Sequence, residues 1–368
     1  MQDTPTIRPA PRFKKIPDPR DSLAGFKRLP AFEQAYLDGY VEAAGRAIPR
    51  ARTRLAAADR LGGWGARWNL GRMRYSVPPG LYAVGLPEPG SEVFVTANYK
   101  LSFDRLREAL AGLSGWILVL DTRGVNVWCA AGKGSFGTEE LLAKLRALRL
   151  EELVSHRRLV LPQLGAPGVS APELARRSGF VVQWGPVQAR DIQAYLNAGK
   201  RKTEAMRRVP FGLGERLAVA PVEFVQAWPL APAAFAAAAL FALPGGSGYG
   251  GRFLRAFPPL LGLWPLATFG FAALLPLLPS RRFAVKGALL GAAWGLGAAL
   301  AAGQAPLAGA AFGLVGAAVA SFLGMNYTGA SAITSPTGAE REVRGSLLPQ
   351  ALALAAGLGL GAAARLFG

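Results

Sequence analysis

The sequence contains one thiol, Cys129, and one imidazole, His156, and those two residues bound the chemistry open to it. A disulfide, a cysteine-rich zinc site or an iron–sulfur cluster needs at least two thiolates, so none of them is expected within this chain. A single histidine excludes polyhistidine metal sites, and it leaves a Ser-His-Asp hydrolase open only if His156 is the base. Cys129 lies in the stretch Asp121-Thr122-Arg123-Gly124-Val125-Asn126-Val127-Trp128-Cys129-Ala130-Ala131-Gly132-Lys133-Gly134-Ser135-Phe136-Gly137-Thr138. Glycines at 132, 134 and 137 let backbone approach a large ligand. This is not the phosphate-binding loop of NTPases, because Lys133 is followed by Gly134 where Ser or Thr is required, and no glycine stands five before Gly132. By residue type alone Cys129 is as readily a small buried hydrophobe as a ligand. Trp128 is core or a face for a flat ligand, and Lys133 is a solvated charge or an anion contact.

The elements around this stretch alternate. Apolar strands are expected at 81–84, 93–97, 116–120, 159–162 and 180–184, with helical spacing at 103–113, 139–148, 172–177 and 190–198. Such alternation implies a Rossmann-like α/β layer over 61–223 with a mainly parallel sheet, whose ligands sit at the carboxyl ends of the strands. Cys129 follows the strand 116–120 and precedes the helix 139–148, for which Thr138 is the expected N-cap. Glu139 and Glu140 complement the helix dipole there, and the free N–H groups suit a phosphate or amide oxygens. His156, just before a strand, reads as structural. Residues 1–60 form a basic, proline-containing extension with one amphipathic stretch, 32–47, expected to be helical. Residues 1–20 lack the apolar core of a secretory signal peptide.

The remainder, 224–368, reads as an all-α transmembrane domain. It carries eight basic and two acidic residues, a net +6 of the chain's +19, leaving +13 for residues 1–223. A bilayer core needs about 20 apolar residues per helix, and five spans are read near 227–244, 257–279, 287–303, 306–325 and 347–364. Gly303-Gln304-Ala305-Pro306 marks a tight hairpin between the third and fourth. Glycines at 287, 291, 295 and at 309, 313, 316 suit close helix packing in lipid. With residues 1–223 cytoplasmic, Arg281, Arg282, Lys286, Arg341 and Arg344 fall inside and Arg252, Arg255 and Arg365 outside. That bias, with Lys200-Arg201-Lys202 and Arg207-Arg208, points to the inner membrane and to lipid as the partner of the positive charge, not nucleic acid.

Asn126-Val127-Trp128-Cys129-Ala130-Ala131-Gly132-Lys133 resembles the cap motif of the membrane-bound corrinoid protein family of microbial mercury methylation, itself related to the corrinoid domain of the large subunit of the corrinoid iron–sulfur protein of acetyl-CoA synthesis. Asp59-Arg60-Leu61-Gly62-Gly63-Trp64, Gly71-Arg72-Met73-Arg74-Tyr75, Pro79-Gly80-Leu81-Tyr82-Ala83-Val84-Gly85, Ala97-Asn98-Tyr99-Lys100-Leu101-Ser102-Phe103-Asp104, 156–166, 185–191 and Asn326-Tyr327-Thr328-Gly329-Ala330-Ser331 are similar as well. The resemblance begins near residue 55, and the first sixty residues are not aligned.

It implies a cobalamin-type corrinoid held by Asn126, Val127, Trp128, Cys129, Ala130, Ala131, Gly132, Lys133, Gly134 and Thr138, with the Cys129 thiolate as lower axial ligand of cobalt. Hg(II) is a soft electrophile, so its methyl group must leave cobalt as a carbanion or radical equivalent, and a soft thiolate should weaken the bond trans to it. The implied activity is a corrinoid-dependent methyltransferase making methylmercury. Its partners would be a ferredoxin-like protein with two 4Fe–4S clusters as reductant, and a methyltransferase as methyl donor. One alternative is a corrinoid methyl carrier with another acceptor, a different metal or metalloid or an acetyl-CoA-type one-carbon pathway. Another, of a different class, is a membrane transport or ligand-sensing protein, against which stands the absence of ionisable residues in the chosen spans.

Overall fold

The computed structural model describes residues 7–8, 34–243, 248–330 and 336–366. Most of the expected N-terminal extension, and Ser331 of the motif at 326–331, lie outside the described residues. The chain forms two compact units, Met1–Ala66 with Leu70–Pro210, and Arg67–Asn69 with Phe211–Gly368.

The first unit is built on an eight-stranded sheet: β1 (Ile7–Arg8), β2 (Leu37–Ala43), β3 (Arg46–Ala51), β4 (Gly80–Val84), β5 (Val93–Ala97), β6 (Gly115–Leu120), β7 (Arg158–Leu161) and β8 (Val181–Trp184). The spatial order is β1-β2-β3-β4-β6-β5-β7-β8. Strands β5 to β8 run parallel, and β4 joins antiparallel to β6. Both faces of β4, β5 and β6 are buried throughout, which is why they read as continuous apolar runs. Side chains alternate between two cores. Trp116, Leu118 and Leu120 pack with the helices Thr138–Leu148 and Ala171–Ser178, whereas Ile117 and Val119 pack with Phe103 and Leu106 of the helix Lys100–Ala109 and with Tyr195. At about 1.5–3 kcal/mol for each fully buried large apolar side chain, these two layers hold the sheet's position.

Within the described part of the stretch 32–47 the expected helix is instead a strand hairpin, β2 turning into β3. Leu37, Gly39 and Val41 are buried alternately, the period of a strand. Ala44 and Gly45 then take φ of 48° and 71° and form the two-residue turn that pairs Ala43 with Arg46. The misreading has a physical source: Tyr36, Leu37, Tyr40 and Val41 also fall at helical spacing, and an Ala-Gly turn is a weak hairpin signal.

Among the described residues of the second unit four helices are long and apolar enough to cross a membrane: Tyr249–Leu274, Phe283–Ala301, Pro306–Gly329 and Gly338–Ala364. The expected span near 227–244 is a 13-residue helix, Leu230–Ala242, too short alone and bent 61° from the helical segment Leu213–Gln226. Counting that pair gives five. The first long helix contains a π-helical turn at Leu266–Gly270, directly after Pro265, whose missing N–H breaks the regular ladder. Phe283–Ala301 and Pro306–Ala330 form the expected hairpin. A Cβ on Gly287, Gly291 or Gly295 would meet the carbonyl oxygens of Ala320, Gly316 or Phe312 at 2.1, 1.9 and 2.1 Å, so only glycine permits this approach. The helices run longer than the expected spans and take in Lys286 and Glu342 near their starts. Lys286 donates to the Leu275 carbonyl and Glu342 accepts from Ala284 N–H, so both tie helix ends together.

Candidate functional site

In order of sequence, β5, β6, β7 and β8 are wound so that β6 lies on one side of β5 and β7 on the other. The carboxyl ends of β5 and β7 therefore flank the point where the winding reverses, the usual ligand crevice of a doubly wound sheet. The segment after β6 crosses this point. Its Cys129 region forms a further short helix, Val127–Gly132, between the strand and the helix expected there, and lies against β5 and against the turn Gln163–Gly165 after β7. The Asn126 side chain caps it, accepting from Cys129 N–H at 2.9 Å, an interaction worth about 1 kcal/mol. An Asn followed by an apolar run is the signal that reveals such a start.

The turn leading into this helix hangs on Asn98, a residue whose role was not foreseen. Asn98, buried at the end of β5, accepts on Oδ1 from Thr122 N–H at 3.1 Å, Thr122 Oγ1 at 2.9 Å and Gly124 N–H at 2.9 Å. Arg123 and Gly124 both have positive φ, 58° and 74°, and Val125 N–H closes the turn on the Thr122 carbonyl. Glu140 accepts from Asp121 N–H at 2.8 Å, so it holds the end of β6 besides facing the helix dipole.

The predicted site residues divide by orientation. Ala130 and Ala131 face the core, and Val127 packs against it. Trp128 and Cys129 are half-buried, while Gly132, Lys133 and Gly134 are exposed. Gly132 stands four residues after Trp128 and three after Cys129, on the same helix face, and a Cβ there would have nothing within 4 Å. Gly134, at φ 79°, has a local cause: Ser135 N–H bonds the Ala130 carbonyl and Gly134 N–H the Ala131 carbonyl, the bonds of a Schellman helix end. Thr138 is not the N-cap. Gly137 holds that position, and Thr138 Oγ1 accepts from Ser170 N–H at 2.8 Å, joining this loop to the one after β7. Besides Asn98, the roles of Gly165 and Gly168 were not foreseen. A Cβ on Gly168 would lie 2.1 Å from the Phe136 carbonyl, and one on Gly165 would lie 2.5 Å from the Phe136 ring.

His156 is at the opposite end of the strands, before the start of β7, where Nε2 bonds the Ser91 carbonyl at 2.9 Å. It plays no part in the crevice. An open cleft of about 270 Å³ lined by Asp38, Arg50, Arg52 and Ser114 is also away from the crevice, by the starts of β2 and β6 and the end of β3.

A quartet of charges, three of them buried and Lys100 half-buried, fixes the helices Ala57–Arg67 and Lys100–Ala109. Lys100 Nζ lies 2.7 Å from both Asp59 and Asp104, and Arg107 lies 2.8 Å from both. Burial opposes ionisation of Asp59, but hydrogen bonds from Lys100, Ala56 N–H and Arg107 outweigh it and hold the carboxyl at about 2.

Residues 71–196 match the family model described as CO dehydrogenase/acetyl-CoA synthase delta subunit. The gamma subunit of the acetyl-CoA decarbonylase/synthase complex of Archaeoglobus fulgidus is 34% identical over 127 residues, 34% of this chain and 27% of that one. The Methanopyrus kandleri gamma subunit is 30% identical over 122 residues, 33% and 26% of the two chains. The corrinoid/iron-sulfur protein large subunit of Moorella thermoacetica is 28% identical over 120 residues, 32% and 26%. The chain thus spans about a quarter of the length of these relatives. The family match contains β4 to β8 with Cys129, and stops short of the apolar helices.

Proposed function

We propose that this protein binds a corrinoid at the carboxyl ends of β5 and β7, with the Cys129 thiolate as axial ligand of the cobalt, and methylates Hg(II). The observation that carries the reading is the seating of the only thiol on a capped helix across the winding reversal, beside the open space left by Gly132, inside the stretch 71–196 that matches the CO dehydrogenase/acetyl-CoA synthase delta subunit family model.

The donor set suits such a group. Among the described residues no cluster of three His, Cys, Asp or Glu could hold a bare metal ion, whereas a metal already held by a macrocycle asks the protein for one axial donor. When bound, the corrinoid would supply a methyl group for transfer to a soft electrophile, and Cys129 would be the soft donor that holds its cobalt. The chain's own residues do the rest. Asn126 fixes the turn that bears Cys129, and Asn98 fixes the turn before it. Trp128, half-buried on the same face, would cover apolar surface of the ligand, and Gly132 leaves room. Lys133 is exposed, free to meet an anionic group of the ligand.

With one thiol, the chain needs an external reductant, for which a ferredoxin-like protein with two 4Fe–4S clusters is proposed, and a separate methyltransferase as methyl donor. The four or five apolar helices would hold the protein in the inner membrane with residues 1–223 cytoplasmic. A second reading, a methyl carrier with a different acceptor, is favoured by relatives named for acetyl-CoA decarbonylase/synthase. The test is methylmercury production by the native host carrying wild-type or Cys129→Ala protein. The substitution should abolish it, and normal production would contradict the reading. A wild-type host that loads the protein with corrinoid yet makes no methylmercury supports the second.

A further inference from the structure

We infer that the outer face of the helix Ala57–Arg67, with the turn that follows it, lies on a bilayer surface; this rests on reading the second unit as membrane-spanning. Leu61, Trp64, Leu70 and Met73 are 68%, 56%, 65% and 72% exposed, four large apolar side chains within a short stretch. Apolar surface gathered in this way on a folded unit marks something that covers it. The helix buries Asp59, Gly63 and Ala66, so Leu61 and Trp64, three residues apart, share the opposite face. Gly65 continues that face, and the Leu70 Cβ lies 3.7 Å from where a Gly65 Cβ would stand, which joins Leu70 to it. Arg60 and Arg74 are exposed at its margins. Leucine and tryptophan flanked by arginine suit the headgroup level, with the apolar side chains at the acyl boundary and guanidinium groups on lipid phosphates.

The identity of the covering surface follows from chain connectivity. Between the two apolar pairs, Arg67–Asn69 belongs to the helical unit, where the Trp68 ring lies 6.2 Å from that of Phe224 and 6.1 Å from that of Phe269. Trp64 is four residues from Trp68 and Leu70 is two, and an extended chain covers at most about 3.6 Å per residue. By chain length alone Trp64 and Leu70 stay within about 14 Å and about 7 Å of Trp68, so the chain tethers them to the helical unit, as it need not tether a docking face for a soluble partner.

The test uses the full chain in nanodiscs of mixed phosphatidylcholine and phosphatidylglycerol. In a Cys129→Ala background, single nitroxide labels are placed through Leu61→Cys, Leu70→Cys, Arg105→Cys as the water reference, and Leu296→Cys as the lipid reference. Labels at 61 and 70 should collide with oxygen as the Leu296 label does, and several-fold less with a neutral nickel chelate than the Arg105 label. Nickel accessibility equal to that at Arg105 overturns the inference. So does low accessibility to both probes, which would mean that protein, such as a second copy, covers the face. A Leu296 label that reads as water would instead show that the membrane reading itself has failed.

Discussion

Asn98 at the end of β5 accepts three hydrogen bonds from Thr122 and Gly124, so one buried amide oxygen clamps the turn through which β6 delivers Cys129 to the crevice. Replacing it with alanine leaves the Thr122 and Gly124 N–H groups buried and unpaired. Asn98→Ala should destabilise the protein by about 2–4 kcal/mol and weaken corrinoid binding more than tenfold. Asn98→Asp, which keeps the acceptor but sets a charge beside Asp121, should fall between the two. Thermal unfolding and cobalamin titration of the three proteins measure this, and equal affinities would show that the turn does not position the site.

The glycines of the site should differ sharply when changed to alanine. Gly132→Ala meets open space and should leave stability within about 0.5 kcal/mol, and Gly134→Ala adds the cost of a left-handed residue, about 1 kcal/mol. Gly168→Ala sets a methyl group 2.1 Å from the Phe136 carbonyl, so backbone must move, and a loss above about 2 kcal/mol is expected. Denaturation midpoints of the three variants give the order.

Acid should attack the quartet of charges. The Asp59 carboxyl is held at about 2, below its ordinary 3.8, so its contribution is complete above the ordinary value and is lost as pH falls through 3.8 towards 2. That contribution is on the order of 2 kcal/mol. Asp59→Asn leaves Lys100 and Arg107 facing one carboxylate and should cost about 3–5 kcal/mol at neutral pH while flattening the acid limb. Unfolding followed from pH 7 down to pH 2, in wild type and variant, checks both effects.

In the helical unit Gly291→Leu should prevent the hairpin of Phe283–Ala301 and Pro306–Ala330 from closing, because even a Cβ meets the Gly316 carbonyl at 1.9 Å. Gly297→Leu, with nothing within 4 Å, should be tolerated. Yield of monodisperse protein in detergent separates the two.

The parallel strands were legible because burial on both faces leaves uninterrupted apolar runs, and the apolar helices because runs of about 20 residues with almost no charge stand out in any sequence. What escaped was set by tertiary contact. Asn98 looks like any polar residue after a strand until the β6 turn is placed on it, and the need for glycine at 168 exists only because Phe136 passes there. The hairpin Leu37–Ala51 was hidden by coincident helical spacing. At the site, Cys129, Asn126 and Gly132 could be singled out from sequence, but not that Thr138 bonds Ser170 in place of capping its own helix.

The central claim is that Cys129 ligates cobalt, and the most direct measurement is cobalt K-edge X-ray absorption on the full-length protein loaded with cobalamin. The account predicts one sulfur scatterer on cobalt in the wild type, replaced by nitrogen or oxygen in Cys129→Ala while corrinoid remains bound. A wild-type spectrum without sulfur, or one unchanged by the substitution, would contradict it.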